Sequence, residues 1–276
     1  MAFNIQTHRD TVTVVADETQ RLLKAFQTWP EASWRRPTYC PDWQAADAVA
    51  HLATGGDFYA QVIASGRTGN PQLPWGARDA AGARAGRTAA SKKLVDAGPA
   101  ALLDGFQQGA AKLQDAFESL RDDELSQVAW HPRGLVPIGL WAGMRLNELV
   151  VHDWDIRQPH ETNASLSDTA LLAMLTVLPD MQKQFLEQRI TDGLDGVHVL
   201  QAGEASWAFI VHGKTVTYQA AAPATWDTCL RADAQRLILL TMGRANVDSS
   251  LQEGALVVAG NADQGRQLCA TLFRTF

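Results

Sequence analysis

The apolar residues of this chain keep a helical rhythm for roughly its first two thirds and then lose it. Val12, Val15, Leu22, Leu23, Phe26 and Trp29 recur at the spacing of one helix face over 10–29, and Pro30 closes that segment. A loop with Pro37, Cys40 and Pro41 follows. Asp42 then stands where an N-cap belongs, and a second helix is expected from Trp43 to Ser65. A third helix begins after Pro99, with Leu103, Phe106, Ala110, Leu113, Phe117 and Leu120 on one stripe. The loop around His131-Pro132-Arg133-Gly134 leads to a fourth, about Gly139 to Gln158, stopped by Pro159, and a fifth covers roughly 167–188. Between them, 66–98 is rich in Gly, Ala and Arg with weak periodicity. It reads as a long loop or short helices, and a stretch of that length is often a lid or rim.

Beyond about residue 190 the pattern changes. Ser206–Val211 and Thr215–Tyr218 read as paired strands around Gly213-Lys214. Trp226–Arg231 and Ala255–Ala259 are further strand candidates, with helices at 234–242 and 262–274. Helices first and mixed elements afterwards give an α+β chain of two domains, 1–190 and 191–276. Hydrophobic content of 46% and charged content of 20% are those of a globular protein. A net charge of −6 with no basic block makes nucleic acid and anionic membrane poor candidate partners, and neither is expected. No apolar run approaches a bilayer span, and Met1–His8 lacks the cationic and apolar stretches of a secretory signal. Cys40, Cys229 and Cys269 are odd in number and far apart, which fits a reducing cytoplasm. Oligomeric state is not legible, and a monomer or small homo-oligomer is expected.

Chemistry concentrates in the fourth helix. Glu148 and His152 are four residues apart, so both project from one face, and His51 sits about a hundred residues earlier on the second helix. If the two helices pack side by side, two imidazoles and a carboxylate converge as an open site for a divalent metal. Each residue also has an ordinary reading. Glu148 can pair with Arg145, and His51 can be a hydrogen-bonded core histidine. Asp155, one turn beyond His152, is either an acceptor that fixes an imidazole ring or a solvated carboxylate near the helix end. Gly55 and Gly56 are costly inside a helix and easier to explain if a ligand approaches there. His131, His160, His198 and His212 have no partner at matching spacing and read as surface or structural residues.

Pro37-Thr38-Tyr39-Cys40-Pro41-Asp42-Trp43, followed by Asp47 and His51-Leu52, resembles the opening of mycothiol-dependent maleylpyruvate isomerases, members of the wider DinB-like superfamily. Arg145-Leu146-Asn147-Glu148, with His152, Trp154 and Asp155, is similar to that family's ligand helix. The resemblance covers most of 10–190. A weaker one over 195–276, best at Leu239-Leu240-Thr241-Met242-Gly243-Arg244, is to the family's small α/β domain related to sterol-carrier folds. It implies an N-terminal DinB-like four-helix bundle with zinc held by His51, Glu148 and His152, the open position taking water or a low-molecular-weight thiol such as mycothiol. The resemblance also implies an arginine of the second domain, Arg244 or Arg231, helping to hold an anionic substrate. Asp153 departs from the pattern, because family members often carry a small residue there, and it is expected to bear on which substrate or thiol is accepted.

These residues suit three functions. A metal that lowers the pKa of a bound thiol gives a thiolate that adds to an electron-poor carbon of a small organic acid, for isomerisation or S-transfer. The same site can activate water for hydrolysis, with Asp153 or Asp155 as base. A non-catalytic binding protein would more often close the metal with a fourth ligand, for which Cys40 is the candidate. Nickel or iron suits the same donors as zinc.

Overall fold

The structure, a computed structural model, describes residues 4–132, 134–190 and 193–273. Arg133 of the expected loop, Met1–Phe3 of the expected unsignalled N-terminus, and position 274 of the expected last helix lie outside them. The chain divides into two compact units, 2–170 and 171–276.

The first unit is built on α1 (Ile5–Gln27), α2 (Ala45–Gly66), α4 (Pro99–Glu118) and α5 (Trp141–Arg157). α2 packs on α4 and α5, and α1 on α4 and α5, closing a four-helix bundle. Its core holds Leu22 and Phe26 of α1, Leu52 and Ile63 of α2, Phe106 and Phe117 of α4, and Trp141 of α5, each at most 1% exposed. Full burial of such side chains contributes about 1.5–3 kcal/mol apiece. α2 and α4 touch through glycines: a Cβ on Gly56 would sit 2.6 Å from the Gly109 backbone. That glycine is therefore required by helix packing, not by a ligand.

Several local expectations shift. The second helix starts at Ala45, with the Asp47 carboxylate accepting from Gln44 N at 2.8 Å. Asp42 instead occupies a turn at φ 64°, a left-handed conformation that Asp tolerates better than most residues. Within 66–98 lies a full helix, α3 (Ala80–Ala97), capped by Asp79 through Gly82 N at 2.7 Å. It packs on the outside of α2 and α4 and buries only Ala83, so its sequence carries almost no apolar stripe. A hairpin of β1 (Val128–His131) and β2 (Gly134–Pro137) precedes α5.

The second unit takes up α6 (Asp168–Arg189) almost from its start, whereas the boundary expected from the sequence falls at that helix's end. Its sheet contains β3 (Gly196–Ala202), β4 (Ala205–His212), β5 (Thr215–Gln219), β6 (Thr228–Ala232) and β7 (Val257–Gly260) in the order β5-β4-β3-β6-β7. β3 and β6 run parallel and the other pairs antiparallel. The helices α7 (Ala234–Thr241), α8 (Val247–Gln252) and α9 (Ala262–Leu272) complete this α/β unit. Within it, Gln182 of α6 bridges Trp207 Nε1 and Thr241 Oγ1 at 3.0 Å each. Among the described residues no helix is long and apolar enough to cross a membrane.

Candidate metal centre

His51 on α2 and Glu148 and His152 on α5 converge inside the first unit. Their ligand atoms all lie within 4.8 Å of one another. Glu148 Oε2 is 2.8 Å from His51 Nε2 and 3.6 Å from His152 Nε2. A metal bound at about 2.1 Å from each donor would hold neighbouring donors roughly 3–3.5 Å apart, so the group fits a divalent ion with small side-chain adjustments. Two imidazoles and one carboxylate also leave coordination positions open, as a reacting ligand requires.

The surroundings set the state of each donor. Burial, reinforced by the Arg87 charge and opposed by the hydrogen bond to Glu148, pushes His51 down to about 4, so this imidazole is neutral at pH 7. Burial alone would raise the Glu148 pKa, but hydrogen bonds from His152 and His51 outweigh it and hold the carboxyl well below its usual range. Burial likewise opposes charge on His152. There the hydrogen bond to Asp155, with those to Cys40 and Glu148, wins and holds the imidazolium well above its ordinary range.

The loop before α2 forms the wall. Thr38 Oγ1 donates to Trp43 O at 3.1 Å, and Tyr39 N donates to Asp155 O at 2.8 Å, tying the loop to α5. Trp43 is thereby set 5.7 Å from the His152 ring in a stacked arrangement and 5.1 Å from the His51 ring. His51 also faces a cavity of about 560 Å³ bounded by Trp43 and by Arg84, Arg87, Ser91 and Lys92 of α3.

A model of the mycothiol maleylpyruvate isomerase N-terminal domain matches residues 15–157, a span that contains all three candidate ligands. The chain belongs to the mycothiol maleylpyruvate isomerase N-terminal domain family. No curated protein gives a match. Among solved structures, the mycothiol-dependent maleylpyruvate isomerase aligns at TM-score 0.61 and 16% identity, covering 91% of this chain and 92% of that one. A histidine-to-alanine mutant of that isomerase aligns at TM-score 0.61 and 15% identity over the same shares. These likenesses show a common fold across both units. The sterol carrier protein 2 of Yarrowia lipolytica aligns over 36% of the chain at TM-score 0.29 and 15% identity.

Against the frame of this isomerase family, the remaining expected residues separate clearly. Asp155 is fully buried and its Oδ2 lies 2.9 Å from His152 Nδ1. Cys40 Sγ lies 3.2 Å from the same oxygen. Cys40 thus groups with His152 and Asp155 on the Nδ1 side of the ring and stands apart from the His51–Glu148–His152 group. Asp153 points elsewhere: its Oδ2 is 2.9 Å from Arg21 Nη2 and 2.9 Å from Arg157 Nη2. It braces α5 against α1, so the expected influence on substrate choice has no contact to carry it. In the second unit Arg244 is buried, with Nη1 donating to Met242 O at 3.0 Å, while Arg231 is exposed with its guanidinium 6.0 Å from the centre of the Trp226 ring. Arg145 does not pair with Glu148 in a direct ion pair; its Nη1 donates to Leu52 O at 2.9 Å. The residue that sequence reasoning missed is Arg87, whose Nη2 lies 3.3 Å from His51 Nε2. The only sequence signal for it was the arginine-rich composition of 66–98.

Proposed function

We propose that this chain is a metal-dependent enzyme that uses a low-molecular-weight thiol to isomerise a small electrophilic organic acid. Family membership supports a thiol-dependent isomerase, with mycothiol as the thiol and a maleylpyruvate-like acid as the substrate. The observation that carries the reading is the meeting of His51, Glu148 and His152 beside an open cavity. Zinc is the first metal to test, and nickel or iron suits the same donors. Bound there, the metal would supply the Lewis acidity that lowers the pKa of a thiol at its open position.

The chain's own groups prepare that position. His51 is neutral at pH 7, so a metal there need not displace a charged imidazolium. Asp155 accepts from His152 Nδ1 and so turns Nε2 toward Glu148. Trp43 packs on both imidazoles, limits their rotation and keeps water from one flank. Hydrolysis is less well supported. Its two base candidates are engaged, Asp153 by Arg21 and Arg157, and Asp155 by His152 and Cys40. A site closed by Cys40 is disfavoured because that thiol bonds the Asp155 oxygen that also bonds His152 Nδ1.

Arg244 is proposed as a substrate contact on the family resemblance alone. A cytoplasmic location and a monomer or small homo-oligomer complete the reading, the location resting on the cysteine pattern. The test is turnover of maleylpyruvate by the purified protein. Turnover should need both mycothiol and metal, stop with chelator and return with zinc. Turnover that persists without any thiol would overturn the reading.

A further inference from the structure

We propose that Arg87, backed by Arg145, binds the carboxylate of an organic-acid ligand beside the His51–Glu148–His152 group. The assignment rests on the metal reading above and adds the residue that recognises the ligand's charge.

Two guanidiniums share the space over Gly55. A Cβ there would lie 3.0 Å from Arg87 Nη2 and 3.1 Å from Arg145 Nη1, so the absence of a side chain is what admits both. Neither arginine has a carboxylate within ion-pair distance among the described residues. The buried Arg87 Nε and Arg145 Nη2 have no hydrogen-bond partner there either. Arg145 is 1% exposed and feels the charge of the partly exposed Arg87, so the two cations repel one another unless an anion sits near them.

Glu148 supplies part of the countercharge to Arg145, but its carboxylate is shared with His51 and stands among the three candidate metal donors, and the other nearby carboxylates are engaged. Glu148 bonds His51, Asp155 bonds His152, and Asp96 pairs with Lys92 at 2.8 Å. Asp47 accepts from Gln44 N. A divalent cation at the three donors would add still more positive charge against a single ligand carboxylate. The open side is a cavity of about 560 Å³ whose α3 wall carries Arg84, Arg87 and Lys92. Arg87 is the one of these that reaches the donors: Nη2 lies 3.1 Å from His51 O and 3.3 Å from His51 Nε2. An acid seated on its planar fork would lie beside the His51 imidazole, and the fork matches the two oxygens of a carboxylate. Phe58 steadies the guanidinium, its ring centre lying 5.6 Å from Cζ.

The experiment is calorimetric titration of succinate into the zinc-loaded full-length protein and its variants, with metal content measured on each sample. Arg87→Gln should weaken succinate at least tenfold while keeping the wild-type metal content. Arg87→Lys should recover part of the loss, and Arg84→Gln, farther out on the same helix, should change affinity less than threefold. Arg87→Gln binding succinate like wild type would overturn the proposal, as would an equal loss in Arg84→Gln, which would mark a general charge effect. Inorganic phosphate binding more tightly than succinate would overturn the carboxylate assignment. A wild-type protein that takes up no zinc would overturn the metal reading instead. Succinate titrations on the metal-free proteins would still decide Arg87, with the same loss on Arg87→Gln expected.

Discussion

His152 Nδ1 and Asp155 Oδ2 lie 2.9 Å apart, one turn from each other on α5, in a part of the helix where Asp155 is wholly buried. The pair fixes the ring so that its other nitrogen faces Glu148 and His51. A carboxylate behind a ligating imidazole raises its basicity and sets its tautomer. Asp155→Asn should therefore fold but bind zinc about 10–100-fold more weakly, read by competition with a chelator of known affinity. Unchanged affinity would show that the pair is structural only.

Metal uptake should be coupled to pH through the same histidine. Burial opposes its charge, but the bonds to Asp155, Cys40 and Glu148 raise its pKa well above the ordinary value, so metal must displace a proton at neutral pH. Apparent affinity should then rise about tenfold per pH unit upward from neutrality until His152 is deprotonated. Calorimetry in buffers of different ionisation enthalpy should count close to one proton released per metal at pH 7.

The metal-free protein should show the opposite kind of linkage at His51. Its folded pKa of about 4 lies below the unfolded value, so the unfolded state binds the extra proton first. The His51 contribution is flat above about pH 6.5 and lowers stability by about 1 kcal/mol per pH unit between there and 4. Denaturant melts across that window should slope in the wild type, and His51→Gln should reduce the slope.

Adjacent glycines should respond differently to alanine. At Gly56 the new methyl meets the Gly109 backbone at 2.6 Å, and backbone cannot step aside, so Gly56→Ala should cost about 1–3 kcal/mol. At Gly55 it meets only the ends of Arg87 and Arg145. Those side chains can yield, and alanine favours helix by about 1 kcal/mol, so Gly55→Ala should leave stability unchanged or raised while weakening succinate binding. Thermal melts paired with the succinate titration separate the two.

Asp153→Asn should act on stability alone. It loosens the contacts to Arg21 and Arg157, both partly exposed and well hydrated, and should cost about 1–2 kcal/mol. Zinc uptake should be unchanged, because the carboxylate faces away from the three donors.

The parts of this architecture that bury an apolar face were legible in the sequence. α1, α4 and α5 follow their stripes or their proline stops, and the i, i+4 spacing of Glu148 and His152 put both on one face. What stayed hidden depends on contacts far apart in the chain. α3 rests on the bundle from outside, so its residues keep no apolar period and Arg87 carried no signal of its own. β3 escaped because both of its faces are partly apolar and it lies between β4 and β6, which blurs the alternation that marked β4. Asp153 and Asp155 look alike in sequence. Only the packing of α1 and of the 37–44 loop separates a brace from an imidazole's partner.

One ion held by His51, Glu148 and His152 is central to the proposed chemistry, and elemental analysis of the purified full-length chain measures it most directly. One equivalent of zinc, or of another divalent transition metal, should be present or taken up after reconstitution. It should be lost in His51→Ala, Glu148→Gln and His152→Ala proteins that remain folded by circular dichroism. Wild-type metal content in any of those variants, or no metal bound by the wild type at micromolar supply, would contradict it.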